Sequence, residues 1–62
     1  MKDIYINQVK EMAELLKKNN LNIDYYPTNF IVKNDVIFYI DFECNEYHEE
    51  WSFEVWGQQY WK

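Results

Sequence analysis

The stretches VIFYIDFEC (Val36–Cys44) and WSFEVW (Trp51–Trp56), joined by the acidic NEYHEE (Asn45–Glu50), decide how this chain is read. Apolar and polar residues alternate with period two on both sides of the acidic link, the pattern of two half-buried strands joined as a hairpin. On this reading Val36, Phe38, Ile40, Phe42 and Cys44 make a wholly apolar face that meets Trp51, Phe53 and Val55. The other face is mixed and carries Ile37, Tyr39, Asp41 and Glu43 beside Ser52, Glu54 and Trp56.

Working toward the N-terminus, Asn34-Asp35 is a two-residue turn of a type that tolerates positive φ, preceded by a strand over residues 29–33. Pro27 ends an earlier strand over 21–26, in which Leu21, Ile23 and Tyr25 share one face. Residues 3–19 read as a helix, because Tyr5, Val9, Met12, Ala13 and Leu16 fall on one stripe with Ile6 and Leu15 at its flanks. Asp3 suits its start, with Asn7 as the later alternative, and Lys17 and Lys18 suit the negative end of its macrodipole. Asn19 or Asn20 supplies the left-handed stop. Toward the C-terminus the last strand spans about 51–57, Gly57 bends it, and a Gln58–Lys62 tail follows. The expected fold is α+β: one N-terminal helix packed on a three- to four-stranded antiparallel β-meander, in a single domain over residues 1–62.

Sixty-two residues lie near the lower limit for a chain that folds without a staple, but 48% are hydrophobic and 21% aromatic, so a few large side chains can build a core. One cysteine excludes an internal disulfide and points to a reducing compartment or a free thiol. Met1-Lys2-Asp3-Ile4 enters amphipathic sequence directly and no apolar run approaches ~20 residues, which predicts neither a signal peptide nor a membrane span. The net charge of −5 is unevenly spread: residues 1–33 balance at +1, whereas 34–62 carry seven carboxylates against Lys62 alone. That half also holds nine aromatic residues, and the whole chain has no Arg. Such a field repels nucleic acid and anionic membrane and steers the chain toward basic protein surfaces.

The candidate partner-binding residues are therefore Tyr39, Asp41, Glu43, Glu46, Glu49, Glu50, Glu54 and Trp56, an acidic, aromatic-studded sheet face. On a strand Asp41 and Glu43 would stand ~6.6 Å apart, close to the phosphate step along a nucleic-acid strand. The plainer reading is a solvated face that keeps an acidic protein soluble. Tyr47, Trp56, Tyr60 and Trp61 are candidates for contact with a second copy, against the plainer reading that the tail folds back to finish the core. Cys44, Glu46, His48 and Glu49 fall within six residues, but a structural zinc site needs four ligands and more Cys and His than this chain owns, so no metal or cofactor is expected. No phosphate-binding glycine loop and no nucleophile with a base at motif spacing is present, and the expectation is a non-enzymatic binding protein.

In size, acidity and Asn/Ile/Lys/Tyr-rich composition, the whole chain resembles the small anti-defence proteins of bacteriophages, including anti-CRISPR inhibitors. The resemblance rests on general character, with no diagnostic motif, and carries over no site residues. It implies a stoichiometric inhibitor in the cytoplasm of a bacterial host, docking on a nuclease or helicase that handles nucleic acid. A small homodimeric structural or regulatory subunit is the second expectation.

Overall fold

The computed structural model describes residues 2–41 and 43–61, and a single helix, α1 (Asp3–Lys18), opens the chain. Val9 is buried at its centre, and Tyr5, Ile6, Met12, Ala13 and Leu16 pack beside it, so the helix buries the stripe that its spacing predicts. Lys2 precedes α1 in extended conformation without a side-chain cap, and Asp3 sits in the first turn, where its charge favours the positive end of the helix. At the other end Asn19 donates its side-chain amide to the Leu15 carbonyl at 2.8 Å. Asn20, at φ 59°, then turns the chain in the left-handed region that asparagine tolerates.

Four short strands follow: β1 (Leu21–Asn22), β2 (Phe30–Lys33), β3 (Val36–Tyr39) and β4 (Asn45–Glu46). The α+β class with one N-terminal helix and antiparallel strands therefore stands. The strands are divided between two two-stranded sheets, β1 with β4 and β2 with β3, rather than joined in one meander. In the first, Leu21 faces Glu46 and Asn22 faces Asn45, and the Tyr47 N–H extends the ladder to the Asn20 carbonyl at 3.0 Å. In the second, Phe30 faces Tyr39 and Lys33 faces Val36 across Asn34 (φ 52°) and Asp35 (φ 64°). Two consecutive positive φ values are the signature of the tight hairpin turn whose twist matches its strands.

Several expectations about the strands need correction. The face of Val36, Phe38 and Ile40 is turned outward, and Ile37 and Tyr39 face the core. Both sets are apolar enough to be buried, so alternation alone cannot choose between them. The hairpin register chooses, because Tyr39 must lie opposite buried Phe30, and a one-residue slip would exchange the faces. Phe42, assigned to the same inner face, lies outside the described residues. Asp41, Glu43 and Cys44 follow the end of β3 and belong to no strand, so no row of charge runs along a sheet there.

The segment expected as a strand over 51–57 is instead a run of tight turns, flanked by 3₁₀ turns at Glu49–Trp51 and Gly57–Tyr60. Ser52 is the cause. Its hydroxyl accepts the Val55 N–H at 3.2 Å and its carbonyl accepts those of Trp56 and Gly57, local bonds that compete with a sheet ladder. Trp51 and Val55 consequently face solvent, while Phe53 reaches the core. The 21–26 stretch is also only briefly a strand: Asn22, Ile23 and Tyr25 are all buried, and the Asn22 side chain donates to the Trp51 carbonyl at 2.7 Å.

The core lies between α1, the inner face of the β2–β3 hairpin and the C-terminal turns, and aromatic rings dominate it. Phe30 meets Trp61 edge-on at 5.0 Å between centroids, and Tyr25 meets Phe53 edge-on at 5.4 Å. Each such ring removes ~150–250 Å² from water, a gross gain of roughly 4–6 kcal/mol before entropy is charged. Gly57 closes the packing: a Cβ there would stand 2.6 Å from the Tyr25 Cβ, so only glycine lets the turn approach so closely.

Candidate functional site

The acidic half of the chain and the segment at the end of β1 enclose a groove of about 620 Å³. One wall is the end of β1 and the residues after it, ending at Asp24; the other is the Glu43–His48 stretch, with Trp51 and Trp56 beside them. Asp24, Glu43 and Glu46 supply three carboxylates, His48 an imidazole, and among the described residues no Lys lines it.

Tyr39 holds the two walls together. Its hydroxyl donates to the Glu43 carbonyl at 2.9 Å and accepts the Asp24 N–H at 3.5 Å. Burial, aided by the charges of Asp41, Asp24 and Glu43 and opposed by the Asp24 N–H bond, raises the Tyr39 pKa above that of a free phenol. The hydroxyl therefore stays protonated and able to donate. Asp24 accepts the Tyr26 N–H on its own Oδ1 at 3.0 Å, and Asp41 accepts the Glu43 N–H at 3.3 Å, which fixes the backbone around both acids.

The aromatic side of the groove is the start of a longer ridge. Trp51 meets Trp56 at 5.8 Å, Trp56 meets Tyr60 at 5.3 Å, and Tyr60 meets Tyr26 at 5.0 Å, each pair edge-to-face. Trp51 is 56% exposed and Tyr26 and Tyr60 are also open to solvent, while Trp56 is half-buried and seats the ridge against the core. Exposed indoles beside carboxylates suit the side chain of a lysine or arginine, which pairs with the acids and lies against the ring faces.

Of the residues expected to bind a partner, Glu43, Glu46 and Trp56 line this groove, Tyr39 braces it from behind, and Asp41 adjoins Glu43. Glu49 and Glu50 are exposed on the neighbouring 3₁₀ turn without lining it. Glu54 is elsewhere. It borders a separate groove of about 280 Å³ against α1, among Lys10, Glu14, Lys17 and Tyr47, where charges of both signs mix. Trp56 and Glu54 are thus not neighbours on one sheet face, because their segment is wound into turns.

The expected contacts with a second copy scatter likewise. Tyr47 is half-buried beneath Lys17, whose Nζ lies 5.6 Å from the ring centroid. Trp56 and Tyr60 belong to the ridge. Trp61 is 1% exposed and donates its indole N–H to the Tyr25 carbonyl at 2.6 Å, so it finishes the core and has no surface to offer. Asp24 and Trp51 were missed: Asp24 reads as the polar residue of a strand, and Trp51 as an inward one. Among the described residues no three of His, Cys, Asp and Glu converge to hold an ion, and no helix is long and apolar enough to cross a membrane.

Compared with known proteins, the chain matches no family model, no curated protein and no solved structure.

Proposed function

We propose that this protein is a non-enzymatic, stoichiometric inhibitor that seats a lysine- or arginine-bearing surface of a nucleic-acid-handling protein in the groove between Asp24, Glu43, Glu46 and Trp51. One observation carries the reading: three carboxylates and two indoles share one groove with no Lys among the described residues that line it. A basic partner gains charge pairing and aromatic contact at once, whereas nucleic acid meets only repulsion. Surfaces that hold DNA or RNA are rich in Lys and Arg, which makes them the natural match. The phage-encoded, anti-defence part of the reading, and with it the bacterial cytoplasm, rests on the resemblance in size, acidity and composition.

The test is capture from a nuclease-treated bacterial lysate by the immobilised protein and by a triple variant, Asp24→Lys, Glu43→Lys, Glu46→Lys. The reading predicts that the wild type retains a nuclease or helicase at low salt and releases it at high salt, because exposed charges are screened over ~10 Å at 0.1 M. It also predicts that the triple variant retains none. Equal capture by both proteins would overturn the reading.

A further inference from the structure

The outer face of the β2–β3 hairpin is apolar and uncovered. Ile31 lies directly across from Phe38, Val36 follows beside Lys33, and Ile40 continues the same face, joined to the hairpin by its N–H bond to the Asn29 carbonyl. Ile31, Val36, Phe38 and Ile40 are each about half exposed, Phe38 at 47% and Ile40 at 50%. Four large apolar residues converging on one face differ from single surface hydrophobics, which need no explanation.

We infer that this face is covered by the same face of a second copy, hairpin packed on hairpin about a two-fold axis. Charge selects the occupant. Residues 30–40 carry only Lys33 and Asp35 and are neutral, in a chain of net charge −5. The Asp35 side chain is, moreover, turned back onto the Tyr5 hydroxyl at 3.3 Å. Two copies approach here without opposing carboxylates, whereas a basic partner finds no charge to pair with. Packing face to face is favoured over extending the sheet at β3, because that edge is already closed. The Gln8 side chain accepts the outward Ile37 N–H at 2.8 Å and donates to the Asp35 carbonyl at 2.8 Å, standing in for a neighbouring strand. Four half-exposed side chains make a patch smaller than the ~800 Å² per partner of a stable interface, so the dimer is weak and concentration-dependent.

The experiment is sedimentation equilibrium from about 5 to about 500 µM, at low and high salt, a range over which a weak dimer fills as concentration rises. The wild type is expected to pass from monomer to dimer, and more readily at high salt, because salt screens repulsion between the acidic copies while leaving apolar contact intact. Phe38→Lys is expected to stay monomeric at every concentration with an unchanged circular-dichroism spectrum; Ile31→Thr, which keeps a strand-compatible side chain, replaces it if Phe38→Lys does not fold. The triple groove variant is expected to dimerise at least as readily as the wild type and with less dependence on salt, because replacing three acids by Lys removes the excess negative charge while leaving this face intact, which separates this face from the groove. A wild type that stays monomeric throughout, or a dimer that persists in Phe38→Lys or Ile31→Thr, would overturn the inference.

Discussion

Trp61 and Tyr25, 36 residues apart in sequence, are tied together in the core: the indole N–H of one reaches the backbone carbonyl of the other at 2.6 Å, and both side chains are about 1% exposed. The C-terminal turns are thereby locked beneath the segment that leads into the groove. Trp61→Phe keeps most of the packing but leaves the Tyr25 carbonyl without its donor, at an expected cost of ~1–3 kcal/mol; Trp61→Ala adds a cavity, for ~3–5 kcal/mol in all. Urea denaturation followed by circular dichroism measures both, and equal stability of the wild type and Trp61→Ala would contradict the placement.

Gly57→Ala tests the same junction from the other side. The added Cβ would meet Tyr25 Cβ at 2.6 Å, a backbone-proximal atom that cannot swing aside. An overpacking loss of ~1–3 kcal/mol is expected, read as a lower thermal midpoint. Alanine at neighbouring, exposed Gln59 should leave the midpoint nearly unchanged.

Gln8 should behave as a structural residue although its side chain is polar. Gln8→Leu removes the acceptor of the Ile37 N–H and the donor to the Asp35 carbonyl. The expected loss is ~1–3 kcal/mol, with faster hydrogen exchange at the Ile37 amide than at the Phe38 amide, which the hairpin itself bonds. Unchanged protection at Ile37 would contradict the edge-closing role.

Alkaline stability follows from Tyr25. Burial, with smaller contributions from Tyr47, Tyr39 and Cys44, pushes its phenol up from 10.0 to about 12. The folded protein therefore keeps a proton that the unfolded chain releases from pH 10 upward. Below pH 10 the two states hold it equally and stability is unaffected; between about 10 and 12 the unfolded state binds fewer protons and stability falls. The loss from this group is on the order of 2 kcal/mol. Tyr25→Phe should flatten the decline above pH 10 in denaturation curves. Tyr5 and Tyr39 are raised in the same direction and leave a smaller slope behind.

How far the sequence carries is best judged residue by residue. The stripe from Tyr5 to Leu16 specifies α1, because only one helical face is apolar. Asn20 and Asn34-Asp35 mark turns for the same local reason, a side chain that tolerates positive φ. The phase of Val36–Ile40 was not legible, since both faces are apolar and the decision lies in the distant pairing of Phe30 with Tyr39 and in Gln8. The 51–61 segment did hold a usable signal: Phe53, Gly57 and Trp61, all buried, recur every four residues, a helical rather than a strand spacing. The alternation of Trp51, Phe53 and Val55 masked it. Charge alone marks the acidic half as a candidate surface, but Asp24 joins Glu43 and Glu46 only through tertiary contacts made by Tyr39.

The central claim, that the groove receives a basic side chain, is tested most directly by tryptophan fluorescence during titration with an arginine-rich peptide. Trp51 and Trp56 line the groove and Trp61 is sealed in the core, so bound peptide reports through the first two. The expected result is a saturable change that weakens with salt, is lost in the Asp24, Glu43, Glu46 triple variant, and is absent with a glutamate-rich peptide of equal length. A flat titration with the arginine-rich peptide, or an equal response from the triple variant, would contradict the claim.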